Sequence, residues 1–215
     1  MTKSKEVIKR IKDQFSENPD KMFKRYCLQE LYPDSHFAEE IRRLRTNILF
    51  ELTDKSAKIV CVTSPAEEEG KTTISINLAI SFAHYKKKVL LIDANLGAPL
   101  LAKVFSLDGK GLTDALFHQL PPAEVIRKTK VHNLDVMIAG SNLLSSKELF
   151  SSKQFKAFID SLKKTDYDAI IIDSPSMKSA DAPILARISD GSVLVLDAGA
   201  TGKSALQNAK KQLLS

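Results

Sequence analysis

Short runs of continuous apolar residues alternate with amphipathic stretches along most of the chain, and this alternation sets the expected architecture. Five runs read as strands: residues 58–63, 88–93, 134–138, 168–173 and 192–197, of which 88–93, 168–173 and 192–197 end in Asp93, Asp173 and Asp197. Apolar residues at successive positions, rather than at every second one, mark strands covered on both faces. The stretches between them predict helices over 71–84, 111–119, 123–129 (opened by Pro121-Pro122), 146–164 and 203–214. The expected fold class is therefore α/β, a mostly parallel sheet with helices on both faces. Upstream, Val7, Ile8, Ile11 and Phe15 recur at near-helical spacing, Asn18-Pro19-Asp20 breaks the run, and a further short helix is expected around Met22 to Leu28. Residues 1–34 thus read as a helical appendage and 35–215 as the main domain. The main domain opens with a helix from His36 to about Glu51 that carries Ile41, Leu44 and Ile48 on one face.

Composition narrows the class. With 215 residues and 43% apolar content the chain can bury one sizeable core. Of its two cysteines, Cys61 lies inside an apolar run and reads as a buried thiol; His36, His84, His118 and His132 show no metal-ligand spacing. The net charge of +6 is spread over 32 basic and 26 acidic residues, and the clusters Lys86-Lys87-Lys88, Lys163-Lys164 and Lys210-Lys211 read as solvated helix ends. No aromatic-interleaved basic stripe points to nucleic acid. No apolar run is long enough for a membrane span and the N-terminus lacks a signal-peptide core, so a cytoplasmic chain is expected.

The chemistry concentrates after the first strand, at Pro65-Ala66-Glu67-Glu68-Glu69-Gly70-Lys71-Thr72-Thr73. A phosphate-binding loop needs backbone N–H groups converging at a helix start, a lysine as point charge and a hydroxyl for Mg2+. Gly70-Lys71-Thr72-Thr73 supplies that end: Lys71 for the β/γ-phosphates, Thr72 for the metal and Thr73 near the α-phosphate. The first glycine of G-x-x-x-x-G-K-[ST] is Pro65 here, and three glutamates fill the loop, so weakened binding is expected. Asp93 and Asp173 end two strands beside the loop; Asp173 is assigned to the metal shell and Asp93 to the acceptor side. Asn95 cannot act as a carboxylate base, and Ser174 and Ser176 flank Pro175 in a turn. Glu39, Arg42 and Arg45, three apart on one helix, form a charged strip open to a partner.

These pieces in order resemble the bacterial P-loop tyrosine kinases of capsule and exopolysaccharide synthesis. The resemblance runs from about Ser35 to Leu214 through Glu39-Glu40-Ile41-Arg42-Arg43-Leu44-Arg45, Glu69-Gly70-Lys71-Thr72-Thr73, Asn77-Leu78-Ala79, Leu91-Ile92-Asp93-Ala94-Asn95, Gly111-Leu112-Thr113 and Ile171-Ile172-Asp173-Ser174-Pro175. It implies ATP and Mg2+ as cofactors, Lys71 and Thr72 as Walker A contacts within the nucleotide-binding set Glu69 to Thr73, and Asp93 and Asp173 as the two Walker-type aspartates. It further implies a ring-like homo-oligomer built through Glu39, Arg42 and Arg45, and a membrane-embedded polysaccharide chain-length regulator as activator, which places the chain at the inner face of the membrane. Beside that family the chain resembles a divergent member. Glu67-Glu68 stands where the family has Pro-Gly, Asn95 where it has a second aspartate, and Gly97-Ala98 where it has a basic pair. No tyrosine follows Tyr167. Family members continue into another strand, so Ser215 reads as a truncated end. The expected function is an autokinase-type protein-tyrosine kinase; the alternative is a nucleotide-binding scaffold of the same pathway that has lost turnover. A partitioning ATPase of the same broad fold is disfavoured by Ala66, where those proteins carry a lysine.

Overall fold

The computed structural model describes residues 19–51, 59–141 and 149–214. The helix expected over residues 7–15 lies outside them. Three helices lead in, α1 (Pro19–Tyr26), α2 (Leu28–Leu31) and α3 (His36–Glu51), followed by β1 (Ile59–Thr63), α4 (Lys71–His84) and β2 (Val89–Asp93). Then come α5 (Leu101–Phe105), α6 (Leu112–His118), α7 (Pro122–Val125), β3 (Ile126–Lys128) and β4 (Leu134–Met137). A 3-10 turn (Leu149–Ser151), α8 (Lys153–Lys163), β5 (Ala169–Asp173), α9 (Asp181–Ile188), β6 (Gly191–Leu194) and α10 (Lys203–Leu213) complete the chain.

The six strands form one sheet in the order β3-β4-β2-β5-β1-β6. All neighbours are parallel except β3 against β4. Strand side chains alternate between two apolar layers, as a sheet covered on both sides requires. Val60, Val62, Val89, Leu91, Val136 and Ile171 pack with α4 and α5 on one face. Ile59, Cys61, Leu90, Ile92, Ile170 and Ile172 pack with α6, α8 and α9 on the other. Both cysteines are buried free thiols, and burial pushes each up to about 12.

The segment 123–129, expected as a helix, is instead one helical turn followed by the edge strand β3, because Ile126 to Lys128 pair with Met137 to Asp135. The amphipathic run after residue 146 is interrupted before α8, where the Ser152 hydroxyl accepts from Phe155 N at 3.1 Å and starts a new helix. Helices α5 and α9 are additions to the expected set.

The leading helices share the main core. Met22 and Cys27 belong to the layer under α4, and Phe23 meets Phe105 edge-on at 6.2 Å. Asn77, fully buried on α4, binds them from the other side: its Oδ1 accepts from Gln29 N, while its Nδ2 donates to the carbonyls of Tyr26 and Thr73, each at 2.7 Å.

Candidate active site

Parallel strands present their carboxyl ends on one edge of the sheet, and β5 lies between β1 and β2. The register pairs Val62 with Asp173 and Asp173 with Asp93, so the phosphate loop after β1 and the two aspartates occupy three adjacent strand ends.

The loop is shaped by its own polar groups. Ser64 Oγ donates to Ala66 O, and Ala66 N donates to Glu69 Oε2 at 2.9 Å. Glu69 Oε1 accepts from the Thr201 hydroxyl, tying the loop to the segment before α10. Glu67 and Glu68 are exposed, so of the three expected carboxylates two face solvent and one folds back on the loop. Glu68 holds a left-handed backbone with φ 61°, which is why a glycine suits that position. Gly70 has φ 84° and a side open to space, with no atom within 4 Å of where a Cβ would stand. No side chain caps the start of α4. Its first N–H groups and positive dipole end therefore face that open side, the arrangement an anion uses.

Behind the loop, Lys71 is buried, 7% exposed, and Asp93 and Asp173 are more deeply so. Asp173 Oδ1 lies 3.0 Å from Ser75 Oγ, whose hydroxyl also lies 2.9 Å from Lys71 O. Asp93 Oδ2 accepts from Leu100 N and Leu101 N, both at 3.0 Å, and so holds the start of α5. The remaining oxygens, Asp93 Oδ1 and Asp173 Oδ2, are buried with no hydrogen-bond partner. Buried polar atoms are almost always paired, so two orphan carboxylate oxygens on neighbouring strands mark a cation position. Both carboxyls are pushed up from their ordinary range: Asp93 by burial and then by the Asp173 charge, Asp173 by burial, partly offset by the neighbouring Thr72 and Ser75 hydroxyls and by the Lys71 charge. The donor set of two carboxylates and the Thr72 hydroxyl suits Mg2+, which binds through one or two carboxylates and completes its shell with water and phosphate. Among the described residues no cluster of three or more His, Cys, Asp or Glu offers an all-protein metal cage.

Ser75 and the Leu100 and Leu101 amides are the functional groups that the motif reading missed. Ser75 is signalled only by lying one helical turn after Lys71; the two amides carry no side-chain signature. Asn95 turns away from the carboxylates, its Nδ2 donating to Ala98 O at 3.3 Å. Ser174 serves the turn, donating to Val62 O at 2.9 Å.

The charged strip on α3 is divided. Arg42 binds Glu39 Oε2 through Nη2 at 2.6 Å and Nε at 3.0 Å, and Pro33 O through Nη1 at 2.6 Å. Arg45 turns toward α4, donating to Ser81 O at 2.9 Å and lying 4.5 Å over the Tyr85 ring. Its Nε is buried without a partner. Glu39 and Arg42 thus share an accessible face, and Arg45 anchors the helix.

A strand, a phosphate loop opening a long helix, and two acidic strand ends beside it define a P-loop nucleotide-binding protein. A family model described as "AAA domain" matches residues 57–212. Tyrosine-protein kinase YwqD of Bacillus subtilis is 39% identical over 183 residues, covering 84% of this chain and 77% of that protein. Tyrosine-protein kinase CpsD of Streptococcus pneumoniae serotype 4 is 38% identical over 178 residues, covering 81% and 77%. The kinase domain of Escherichia coli tyrosine kinase ETK superposes with a TM-score of 0.82 at 26% identity, over 87% of this chain and 74% of that one. The chain carries an AAA domain and belongs to the family of bacterial P-loop tyrosine kinases.

Proposed function

We propose that the chain is an ATP-dependent protein-tyrosine kinase of the autokinase type, acting in the regulation of capsular or exopolysaccharide synthesis. The observation that carries this reading is the pair of buried, partnerless oxygens of Asp93 and Asp173 beside the uncapped start of α4 and the buried Lys71. The polyphosphate lies along the open side of Gly70, held by the first amides of α4, with the Lys71 ammonium against the β- and γ-phosphates and Thr73 near the α-phosphate. Bound Mg2+ would supply charge neutralisation of the transferring phosphoryl group. Thr72, Asp173 and Asp93 would hold that ion, and Ser75 keeps Asp173 oriented. Asp93 also borders the acceptor side, where its carboxylate orients the phenol and takes its proton as the tyrosine oxygen attacks. Its Oδ2 stays fixed by the α5 amides, which keeps Oδ1 aimed.

The partner reading follows the family resemblance: a membrane-embedded polysaccharide chain-length regulator as activator, and a homo-oligomer through the Glu39 and Arg42 face of α3, a helix that Arg45 holds in place from its inner side. No described helix is long and apolar enough to cross a membrane, so attachment at the inner membrane face would run through that partner. A second reading, a nucleotide-binding scaffold without turnover, is favoured by one contact. Glu69 already occupies the Ala66 N–H, a loop donor otherwise open to phosphate.

Calorimetric titration with ADP and ATP in the presence of Mg2+ tests the shared part, with Lys71→Met as control. Heat that disappears in the variant is expected. Equal heat in both proteins, or none in either, overturns nucleotide binding at this loop. Lys71-dependent phosphate transfer to a tyrosine copolymer then separates the kinase from the scaffold.

A further inference from the structure

The chain has four tyrosines, and the structure sorts them. The Tyr167 hydroxyl donates to Asp135 Oδ2 at 2.6 Å, and burial and that carboxylate push its phenol above its ordinary range. Tyr26 packs half-buried against the core layer under α4. Tyr32 and Tyr85 are exposed, at 59% and 55%. Tyr32 leads into Pro33-Asp34, and its carbonyl is held by Ser35 through both N–H and hydroxyl. Tyr85 ends α4 and opens the turn Tyr85-Lys86-Lys87-Lys88, in which Lys86 takes φ 59° and is exposed. Lys87 and Lys88 pair with Asp168 and Asp166. Lys86 has no carboxylate partner among the described residues, so its charge is available to another molecule. At the opposite end of α4, Glu67 and Glu68 are exposed at the mouth of the phosphate loop, likewise with no ion pair among the described residues.

We propose that Tyr85 is a phosphate acceptor presented by one copy of this chain to another, and that Glu67 and Glu68 select it by attracting Lys86. This rests on the kinase reading. The transfer occurs between copies, because α4 has 14 residues and at about 1.5 Å per residue holds Tyr85 roughly 20 Å from its own Lys71. In the step, the bond between the γ-phosphorus and the β,γ-bridging oxygen breaks and its electron pair leaves with ADP. The Tyr85 oxygen forms the new bond to phosphorus, and its proton passes to the Asp93 carboxylate and then to solvent. The product phosphate stands on a ring whose face is covered by the Arg45 guanidinium, 4.5 Å from its centroid, a positive charge that favours the added negative one. The acidic loop, unfavourable for polyphosphate, becomes on this view a substrate-selecting element. Tyr32, followed by Asp34, would be repelled by it.

The test uses the full chain with Mg-ATP and maps phosphopeptides by mass spectrometry. Phosphate is expected on Tyr85, to be lost in Tyr85→Phe and kept in Tyr32→Phe. A Lys71→Met chain should be labelled at Tyr85 when mixed with an active Tyr85→Phe chain. Converting Glu67 and Glu68 to Gln should raise KM for a Tyr-Lys-Lys-Lys peptide roughly three- to ten-fold, an effect that fades with salt, since exposed pairs are weak and screened. The same change should raise turnover of an acidic Glu-Tyr copolymer, which the loop carboxylates repel, and shifts of the same sign for both substrates would overturn selection by charge. Lys71-dependent labelling of the copolymer with none on Tyr85 overturns the acceptor assignment and leaves the kinase reading standing. No Lys71-dependent labelling of any substrate overturns both.

Discussion

Glu68 is the residue whose replacement separates backbone conformation from charge. Its φ of 61° lies in the left-handed region, where a residue with a Cβ is penalised by about 1–2 kcal/mol. Glycine removes that penalty but has more freedom to lose on folding, about 0.5–1 kcal/mol. Glu68→Gly should therefore stabilise the ligand-free protein by roughly 0.5–1 kcal/mol, which for a chain of this length raises Tm by about 2 °C. Glu68→Ala keeps the Cβ and removes the same carboxylate, so it should give no gain. Glu68→Asn, whose side chain tolerates the left-handed region, should fall between. Both Gly and Ala also remove a negative charge from the loop and should tighten Mg-ADP binding a few-fold, as expected for an exposed, screened charge. Calorimetric melting without nucleotide ranks the backbone effect, and titration with Mg-ADP ranks the charge effect. If Ala stabilises the free protein as much as Gly does, the conformational argument is wrong and repulsion within the loop accounts for the whole effect.

Burial, and for Asp93 next the Asp173 charge, raise both carboxyls well above the ordinary carboxylate range. The folded protein therefore holds protons that the unfolded chain has released, and stability of the metal-free protein should fall steadily as pH rises from about 4 to about 7. Denaturation midpoints across that range should flatten in Asp93→Asn; an unchanged slope refutes the assignment. Asn77→Ala removes three bonds and strands the buried Gln29 N–H, costing roughly 2–4 kcal/mol by urea unfolding, and a loss under about 1 kcal/mol would show that the leading helices are held by apolar contact alone. Gly140 has φ 98°, and a Cβ there would run into the Asp114 carboxylate and the Thr113 hydroxyl, whereas Gly97 is open. Gly140→Ala should cost more than about 2 kcal/mol and Gly97→Ala stay within about 0.5 kcal/mol; similar melting curves for the two would refute the close approach.

The parallel strands were readable because burial on both faces leaves little room for polar residues, and Ile170-Ile171-Ile172 or Val89-Leu90-Leu91 can hardly be anything else. β3 was not readable. Three residues are too few for a period to show, and Pro121-Pro122 is a true helix signal whose helix stops after one turn. Helix α5 was hidden for another reason: its start is fixed by Asp93 Oδ2, a contact between residues seven and eight apart that no local pattern records. At the candidate site the charged groups were legible and their partners were not. Lys71, Asp93 and Asp173 announce themselves at strand and helix ends, whereas Ser75 is one hydroxyl among many until β5 is placed beside α4. The α3 strip shows the converse: the spacing of Glu39, Arg42 and Arg45 suggests one common surface, but the drift of a helix over six residues is enough to turn Arg45 onto Ser81 and Tyr85.

β1 and β2 never touch; each pairs with β5, which arrives about eighty residues after β2 in the chain. During synthesis the phosphate loop and Asp93 are thus made long before the strand that joins them. Until Asp173 has emerged, the growing polypeptide carries two apolar ribbons with an unfilled slot between them, and a fragment ending before Ala169 should expose those edges and aggregate rather than bind nucleotide. The last central strand to be translated is the one that joins β1 to β2 and completes the candidate site.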